Sequence, residues 1–484
     1  MDLRAPKLLL RICSLAGALC AASALLAAAA GPAGAAQDGV NVDSGFLSGP
    51  AIAAQTEALI DKLHPGWVRV FLDWNDVEPS PGAVGLSEIG EYKQFFDALP
   101  AGTKVDVDVS GSPAWANGGS TNPATPPTSD ASFAGFLNTV SNAWGSSVSA
   151  WEIWNEEDST SNWTGTPAQY VSLLKAAYPA VKAADPGATV LLGGLGANDY
   201  PYLSSVYAAG GAGSFDGVAV HTDDACSITS PNAFAFNPGT QEINRWSFLG
   251  FTTVHSLMSA NGDGAKPIFM TELGWSTTNS TCSSGSSSGK RAGGVSEKTQ
   301  ATYLNQAYNC LAQAQYSYVT AGMWFNLVDT ATTNDFYNRY GLLSTALKPK
   351  PAFAAFEKVS ADGGKLAVGC GNFAGPTLHL VSPRNGEQYS GPLPIVVTAK
   401  VNGGAKGDAI GQIAVQHDGK SILNFNKVDA HYANRTLTGH IDWQGARGLS
   451  AGPHTISVVA TNANGVKSEI TVTVIHDAST KKHK

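Results

Sequence analysis

The 484-residue chain is expected to fold as α/β, a (β/α)8 barrel followed by an all-β sandwich, on three observations. Short apolar runs alternate with helix-like runs from about Gly39 to about Val359, the pattern of parallel β/α units. Eight such runs can be counted, which is what a closed barrel needs. From about Gly375 the helix signals stop, and alternating strands are separated by turn residues.

The strands are expected near Gly39–Phe46, then at Trp67–Leu72, Lys104–Val109, Ala150–Asn155, Thr189–Gly193, Gly217–His221, Ile268–Thr271 and Ala321–Leu327. Among the intervening runs, 53–63 reads as a helix, and 167–184 reads as a helix stopped by Asp185-Pro186-Gly187. The helix-like 351–359 closes the barrel. Long loops rich in Gly, Ser and Thr follow strands 3 (118–130) and 7 (277–294); they either shape a cleft or are plain surface.

The sandwich strands are expected at 378–381, 394–399, 411–415, 454–460 and 470–474, with Trp443 in the core rather than as a sugar platform. Domain limits follow: a signal peptide over 1–36, a catalytic barrel over 37–374, a sandwich over 375–476 and a disordered tail over 477–484. The signal reading rests on Arg4, Lys7 and Arg11 before the apolar run 15–30 and on Ala33-Gly34-Ala35 as a cleavage site; a lipoprotein site at Cys20 is the weaker reading, because Leu19 is large. The expected product is secreted and monomeric, with no membrane span.

The formal charge is −8, and removing a leader worth +2 leaves −10, which argues against a nucleic-acid partner. Four cysteines would survive export, so two disulfides are expected rather than four free thiols, and of the three possible pairings Cys226 with Cys282 and Cys310 with Cys370 is favoured. Phosphate-loop, zinc-protease and serine-hydrolase motifs are absent, and no cofactor or metal is expected. Asp223 and Asp224 could ligate calcium but read better as solvated loop acids.

The chemistry is concentrated in two strands. Trp151-Glu152-Ile153-Trp154-Asn155-Glu156 and Pro267-Ile268-Phe269-Met270-Thr271-Glu272 each run apolar residues into a glutamate. At roughly 40 residues per β/α unit, the spacing places Glu156 on strand 4 and Glu272 on strand 7, both at C-terminal tips, where barrel residues meet substrate. Two carboxyl groups facing one pocket are what glycoside hydrolysis needs: one protonates the leaving oxygen and the other acts at the anomeric carbon. Taken singly, either could be a helix cap or a solvated acid. Arg69 on strand 2 would keep Glu272 ionised or form a buried pair with Asp106 and Asp108, while the charge on Glu272 would raise the pKa of Glu156. Glu152, deeper on the same face, reads as structural. Trp324 on strand 8 and Trp115 after strand 3 could stack on sugar rings or pack in the core.

Trp154-Asn155-Glu156 and Thr271-Glu272-Leu273-Gly274-Trp275 resemble the motifs of clan A retaining glycoside hydrolases. The run 68–74 with Glu78-Pro79-Ser80-Pro81-Gly82, and later Ser112-Pro113-Ala114-Trp115, is most similar to glycoside hydrolase family 39 and its exopolysaccharide-degrading relatives, with family 5 close behind. The resemblance covers the barrel alone. It implies Glu156 as acid/base, Glu272 as nucleophile and Asn155 on the sugar 2-hydroxyl; for Asn155 a helix cap is the other reading. His221 would hydrogen-bond near the nucleophile or be an ordinary core histidine. Gly452-Pro453-His454-Thr455 with Ala460-Thr461-Asn462 resembles the late strands of bacterial immunoglobulin-like domains. A polysaccharide or oligosaccharide substrate is the expected partner; the alternative is a noncatalytic glycan-binding or cell-surface protein on a degenerate barrel.

Overall fold

The structure, a computed structural model, describes residues 36–362, apart from residue 48 and stretches within 225–241, 283–292 and 331–337, and residues 376–477 apart from 401–409, 427–435 and 463–466. The expected signal peptide therefore lies outside the described residues except for Ala36, as does the tail beyond Asp477.

Eight parallel strands close a barrel: β1 (Gln37–Val42), β2 (Trp67–Asp73), β3 (Lys104–Ser110), β4 (Ala150–Asn155), β5 (Thr189–Leu195), β6 (Gly217–Asp224), β7 (Ile268–Trp275) and β8 (Val319–Trp324). Closure is made by β1 against β8, with Gln37 opposite Ala321 and Val40 opposite Trp324. Several strand ends shift: β5, β6 and β7 run on to Leu195, Asp224 and Trp275, and two further shifts have a local cause. The first strand stops at Val42, because Asp43 caps a short 3-10 turn over Ser44–Phe46 by accepting the Gly45 N–H. The last runs from Val319 and stops at Trp324, three residues before the expected Leu327, where the Leu327 N–H instead bonds the Asn41 carbonyl.

The helices have local causes. Pro167–Ala184 opens on a capping box in which Thr166 and Gln169 each satisfy the other's backbone N–H, with Pro167 in the first turn. Glu297–Leu311 is capped by Ser296. The closing helix spans Pro351–Asp362. No helix among the described residues is long and apolar enough to cross a membrane.

Inside the barrel the inward residues form layers. A floor of Trp67, Ala150, Leu191, Ala219, Phe269, Ala321 and Met323 is fully apolar. Two residues further along their strands, the inward positions turn polar: Arg69, Glu152, His221 and Thr271, all with zero exposure. The same period-2 alternation that packs the floor thus lifts a charged layer to just below the C-terminal mouth.

The C-terminal region is a sandwich of two sheets with one core. The larger sheet has the order β10 (Gln388–Tyr389), β16 (Lys467–His476), β15 (Gly452–Asn462), β12 (Ile410–His417), β13 (Lys420–Asn426). The smaller has β14 (Thr436–Trp443), β11 (Leu393–Lys400), β9 (Thr377–Ser382). Leu393, Ile395 and Val397 from one sheet share a core with Ile413, Ile456 and Val458 from the other. Trp443 is half-buried against that core, as expected. The strands β10, β13 and β14 were not among those expected.

Candidate active site

Arg69 is the hub of the charged layer. Its Nε donates to Glu152 at 2.8 Å, Nη2 to Asp108 at 2.7 Å and to the Asn155 side-chain oxygen at 3.1 Å, and Nη1 to Glu272 at 2.6 Å and the Asn41 side-chain oxygen at 2.9 Å. Arg69 thus grips Glu272 and also forms a buried barrel ion pair with Asp108, but not with Asp106, whose carboxyl oxygens accept no side-chain hydrogen bond. Burial opposes its charge, but Glu152, Glu272 and Asp108 outweigh that and raise its pKa. The neighbouring acids are too many for the cations present. Burial first, then Glu152, pushes the Asp106 carboxyl well up, and burial pushes Asp108 up despite Arg69 beside it.

Glu156 and Glu272 both reach His221. Nδ1 of His221 lies 3.0 Å from Glu156, and Nε2 lies 3.7 Å from Glu272 and 3.7 Å from Glu152. His221 is no ordinary core histidine. Burial disfavours its cation, yet Glu272, Glu152 and Glu156 raise its pKa well above the usual value. Its charge corrects one expectation: Glu156 is not raised by Glu272. Burial pulls the Glu156 carboxyl upward, but the hydrogen bond and charge of His221, with help from Arg69 and the Asn162 amide at 3.2 Å, hold it below the ordinary carboxylate range.

Backbone irregularities aim these groups. The β6/β7 register slips between Val220 and His221, after which His221 faces Glu272. The β7/β8 register slips between Met270 and Leu273, so Thr271 (to Glu152, 3.2 Å) and Glu272 (to Arg69) both turn inward although they are consecutive. At the end of β4, Trp154 (φ 73°) and, just beyond it, Glu156 (φ 46°) adopt left-handed conformations, a strain typical of functional sites that accompanies Asn155 reaching Arg69 and Glu156 reaching His221.

Beside these residues opens a cleft of about 460 Å³ walled by Phe71, Asp73, Asn155, Asn162, Phe325 and Asn326, among others. Pro123 and Ala124 from the loop after β3 also line it, so that loop does shape a cleft. In the loop after β7, Cys282 is disulfide-bonded to Cys226, as expected, while 283–292 lie outside the described residues. Cys310 is a disulfide cysteine too, and Cys370 lies outside the described residues. The side chains of Asp223 and Asp224 are likewise outside them.

No protein-family model matches the chain, and no curated protein matches it. Among solved structures it is similar to a family 39 glycoside hydrolase from the gut symbiont Bacteroides cellulosilyticus WH2, with a TM-score of 0.54 and 19% identity over 85% of this chain and 80% of that one. It is also similar to GH5_18 from Streptomyces cattleya in complex with GlcNAc (TM-score 0.49, 18% identity, 73% of this chain and 84% of that one). A third is the endo-beta-1,4-mannanase from Thermotoga petrophila (TM-score 0.43, 12% identity, 91% and 98%). At these identities the likeness is one of fold, and only the first carries weight.

The expected aromatic platforms do not line the cleft. Trp324 has zero exposure and donates its Nε1–H to the Tyr340 carbonyl at 3.1 Å, because β8 ends at this residue with the ring turned into the core. The next residue, Phe325, is the one on the cleft wall. Trp115 is half-buried, edge-on to Trp74 at 5.6 Å and bonded to the Glu78 carbonyl at 2.8 Å, so it props the cleft from behind. Sequence reasoning also missed Asn41, whose side chain joins Arg69 to the Thr271 carbonyl (2.8 Å), and Gly194, where a Cβ would fall 1.9 Å from Nε2 of His221. Gly193-Gly194 in an otherwise apolar strand was the available signal.

Proposed function

We propose that the chain is a secreted β-glycoside hydrolase that cleaves O-glycosidic bonds of a polysaccharide with retention, Glu272 being the nucleophile and Glu156 the acid/base. The observation that carries this reading is the convergence of Glu156 and Glu272 on the two nitrogens of His221, beside a cleft of polar and aromatic side chains. Buried charges are costly to desolvate, and their gathering beside a cleft favours a chemical role over a noncatalytic barrel.

The environments of the two glutamates differ, and because Glu156 is held low while His221 is raised, the Glu156–His221 pair rather than the lone carboxyl is the proton store. The Glu272 side chain is 8% exposed and ion-paired to Arg69, which suits a carboxylate that attacks the anomeric carbon and leaves as the glycosyl ester breaks down. The Glu156 side chain is 31% exposed and shares a proton with His221, which suits a group that gives a proton to the leaving oxygen and later takes one from water. The Asn155 amide, its oxygen held by Arg69, keeps its N–H groups for a sugar hydroxyl. Phe71 and Phe325 offer apolar faces to pyranose C–H groups, while the surrounding Asp and Asn side chains take the hydroxyls. The sandwich, read as an immunoglobulin-like module over 375–476, takes no part in the chemistry, and the catalytic unit is 37–374.

A panel of polysaccharides identifies the substrate, after which azide rescue separates the roles. Glu272→Ala is expected to be inactive unless azide replaces it and yields the α-glycosyl azide. Glu156→Ala should still turn over an activated nitrophenyl glycoside and yield the β-glycosyl azide. An inverted native product, or the opposite pair of azides, overturns the assignment.

A further inference from the structure

On the sandwich, the turn joining β12 to β13 meets the start of β15, and three side chains there aim one donor atom each at a common point. Nε2 of His417 is 3.1 Å from Nδ1 of His454, Oδ2 of Asp418 is 2.9 Å from that Nδ1, and Oδ2 is 3.1 Å from Nε2 of His417. Donors bound to one ion at about 2.0–2.1 Å lie roughly 3.0 Å apart on an octahedral face and roughly 3.4 Å apart on a tetrahedral one, so the triangle matches a face of either.

The outer contacts orient all three donors. Nε2 of His454 is 3.0 Å from the Ser450 carbonyl, an acceptor that fixes the N–H there and leaves the lone pair of the neutral ring on Nδ1, facing the other donors. Oδ1 of Asp418 takes the N–H and hydroxyl of Thr455 at 2.7 and 3.0 Å, which leaves Oδ2 free to turn inward. The left-handed pair Asp418 (φ 45°) and Gly419 (φ 76°) makes the tight turn, and the Asp418 N–H bonds the Thr455 carbonyl at 3.0 Å. Two imidazole nitrogens and a carboxylate this close repel one another unless a metal ion or a proton lies between them.

We propose that His417, Asp418 and His454 bind a divalent transition-metal ion, with zinc the ion that two imidazoles and one carboxylate suit best, solvent completing the shell on the exposed side of Asp418. The ion clamps the β12–β13 turn to β15. The ligands escaped the sequence reading because His454 is far along the chain from the His417-Asp418 pair and no short ligand spacing marks them.

The test uses the full chain, stripped by a chelator and dialysed against Zn2+, with bound metal counted by mass spectrometry. One ion per chain is expected, with affinity falling at least about tenfold in D418N and H454Q and unchanged in H440Q, a substitution of an exposed histidine. Because the Trp443 ring is 4.9 Å from that of His417, Co2+ should quench tryptophan fluorescence in the native chain and quench it less in W443F. Circular dichroism checks that each variant is folded. Absence of zinc uptake by the folded native chain, or uptake that D418N and H454Q leave unchanged, overturns the proposal; the first result would assign the gap to a proton held between His454 and Asp418.

Discussion

Nδ1 of His221 and Oε1 of Glu156 face each other at 3.0 Å, with the histidine raised and the glutamate lowered from their ordinary pKa values. A raised histidine stabilises the fold fully below 6.5 and loses that contribution as pH rises through its folded value; a lowered glutamate stabilises above 4.5 and loses it as pH falls through its folded value. Both contributions are complete between those limits. His221→Asn should therefore lower stability most at pH 5–6, by on the order of 2 kcal/mol, less than for a fully buried pair. The alkaline limb of the kcat/KM profile should also move to lower pH, since Glu156 alone must then hold the proton. Thermal unfolding and a pH–rate series check this, and an unmoved limb would refute the shared proton.

Gly194→Ala should act through His221 without touching substrate. The added carbon would overlap the imidazole, which has carboxylates on its other sides and no room to move. The expected result is a large fall in kcat with a stability loss of about 1–3 kcal/mol. Steady-state kinetics beside chemical denaturation separates the two effects.

Phe325→Ala is expected to raise KM about tenfold with little change in kcat, because it removes a stacking face on the cleft wall. Trp324→Phe should instead cost about 0.5–1.5 kcal/mol of stability by removing one of the two hydrogen bonds that the Tyr340 carbonyl accepts, the other coming from Gln300, with kinetics of the folded protein near normal. The reverse pattern would restore Trp324 as the platform.

Arg69→Met should be among the most damaging substitutions in the chain. It strands Glu152 and Glu272 without their cation, at about 3–5 kcal/mol, and it abolishes activity. Urea unfolding measures the first effect and substrate assays the second.

Reducing the Cys226–Cys282 bond, which spans 56 positions between the loops after β6 and β7, should lower stability by about 2–4 kcal/mol. Comparison of native protein with Cys282→Ser under oxidising conditions gives the value. Thiol titration in denaturant should find no free cysteine in the oxidised chain.

What the sequence revealed, and what it hid, divides along physical lines. Doubly buried strands read as apolar runs, and helix starts announce themselves through Thr166-Pro167 and Ser296, so the barrel was legible to within a few residues at most strand ends. Arg69 within strand 2 and Asn155, Glu156, His221 and Glu272 at strand tips were legible as polar residues, and the structure brings all five together. Phe325, which continues the inward parity of Ala321 and Met323, was not, because the strand was expected to run to Leu327 with Trp324 as its aromatic platform. Gly194 and Asn41 were missed because each acts by position, one by lacking a side chain and the other by bridging strands far apart in sequence. His454 was out of reach for the same reason.

The Arg69 network also bears on how the barrel assembles. One guanidinium on β2 touches side chains carried by β1, β3, β4 and β7, and a slip of any of these strands by a single residue would turn its partner to the opposite face. Arg69 thus works as a key that fits only when four separate ladders are in register. A chain halted after β4 would bury the cation without Glu272, so closure favours the complete ring over any partial one, and the charges gathered below the mouth also proofread the fold beneath it.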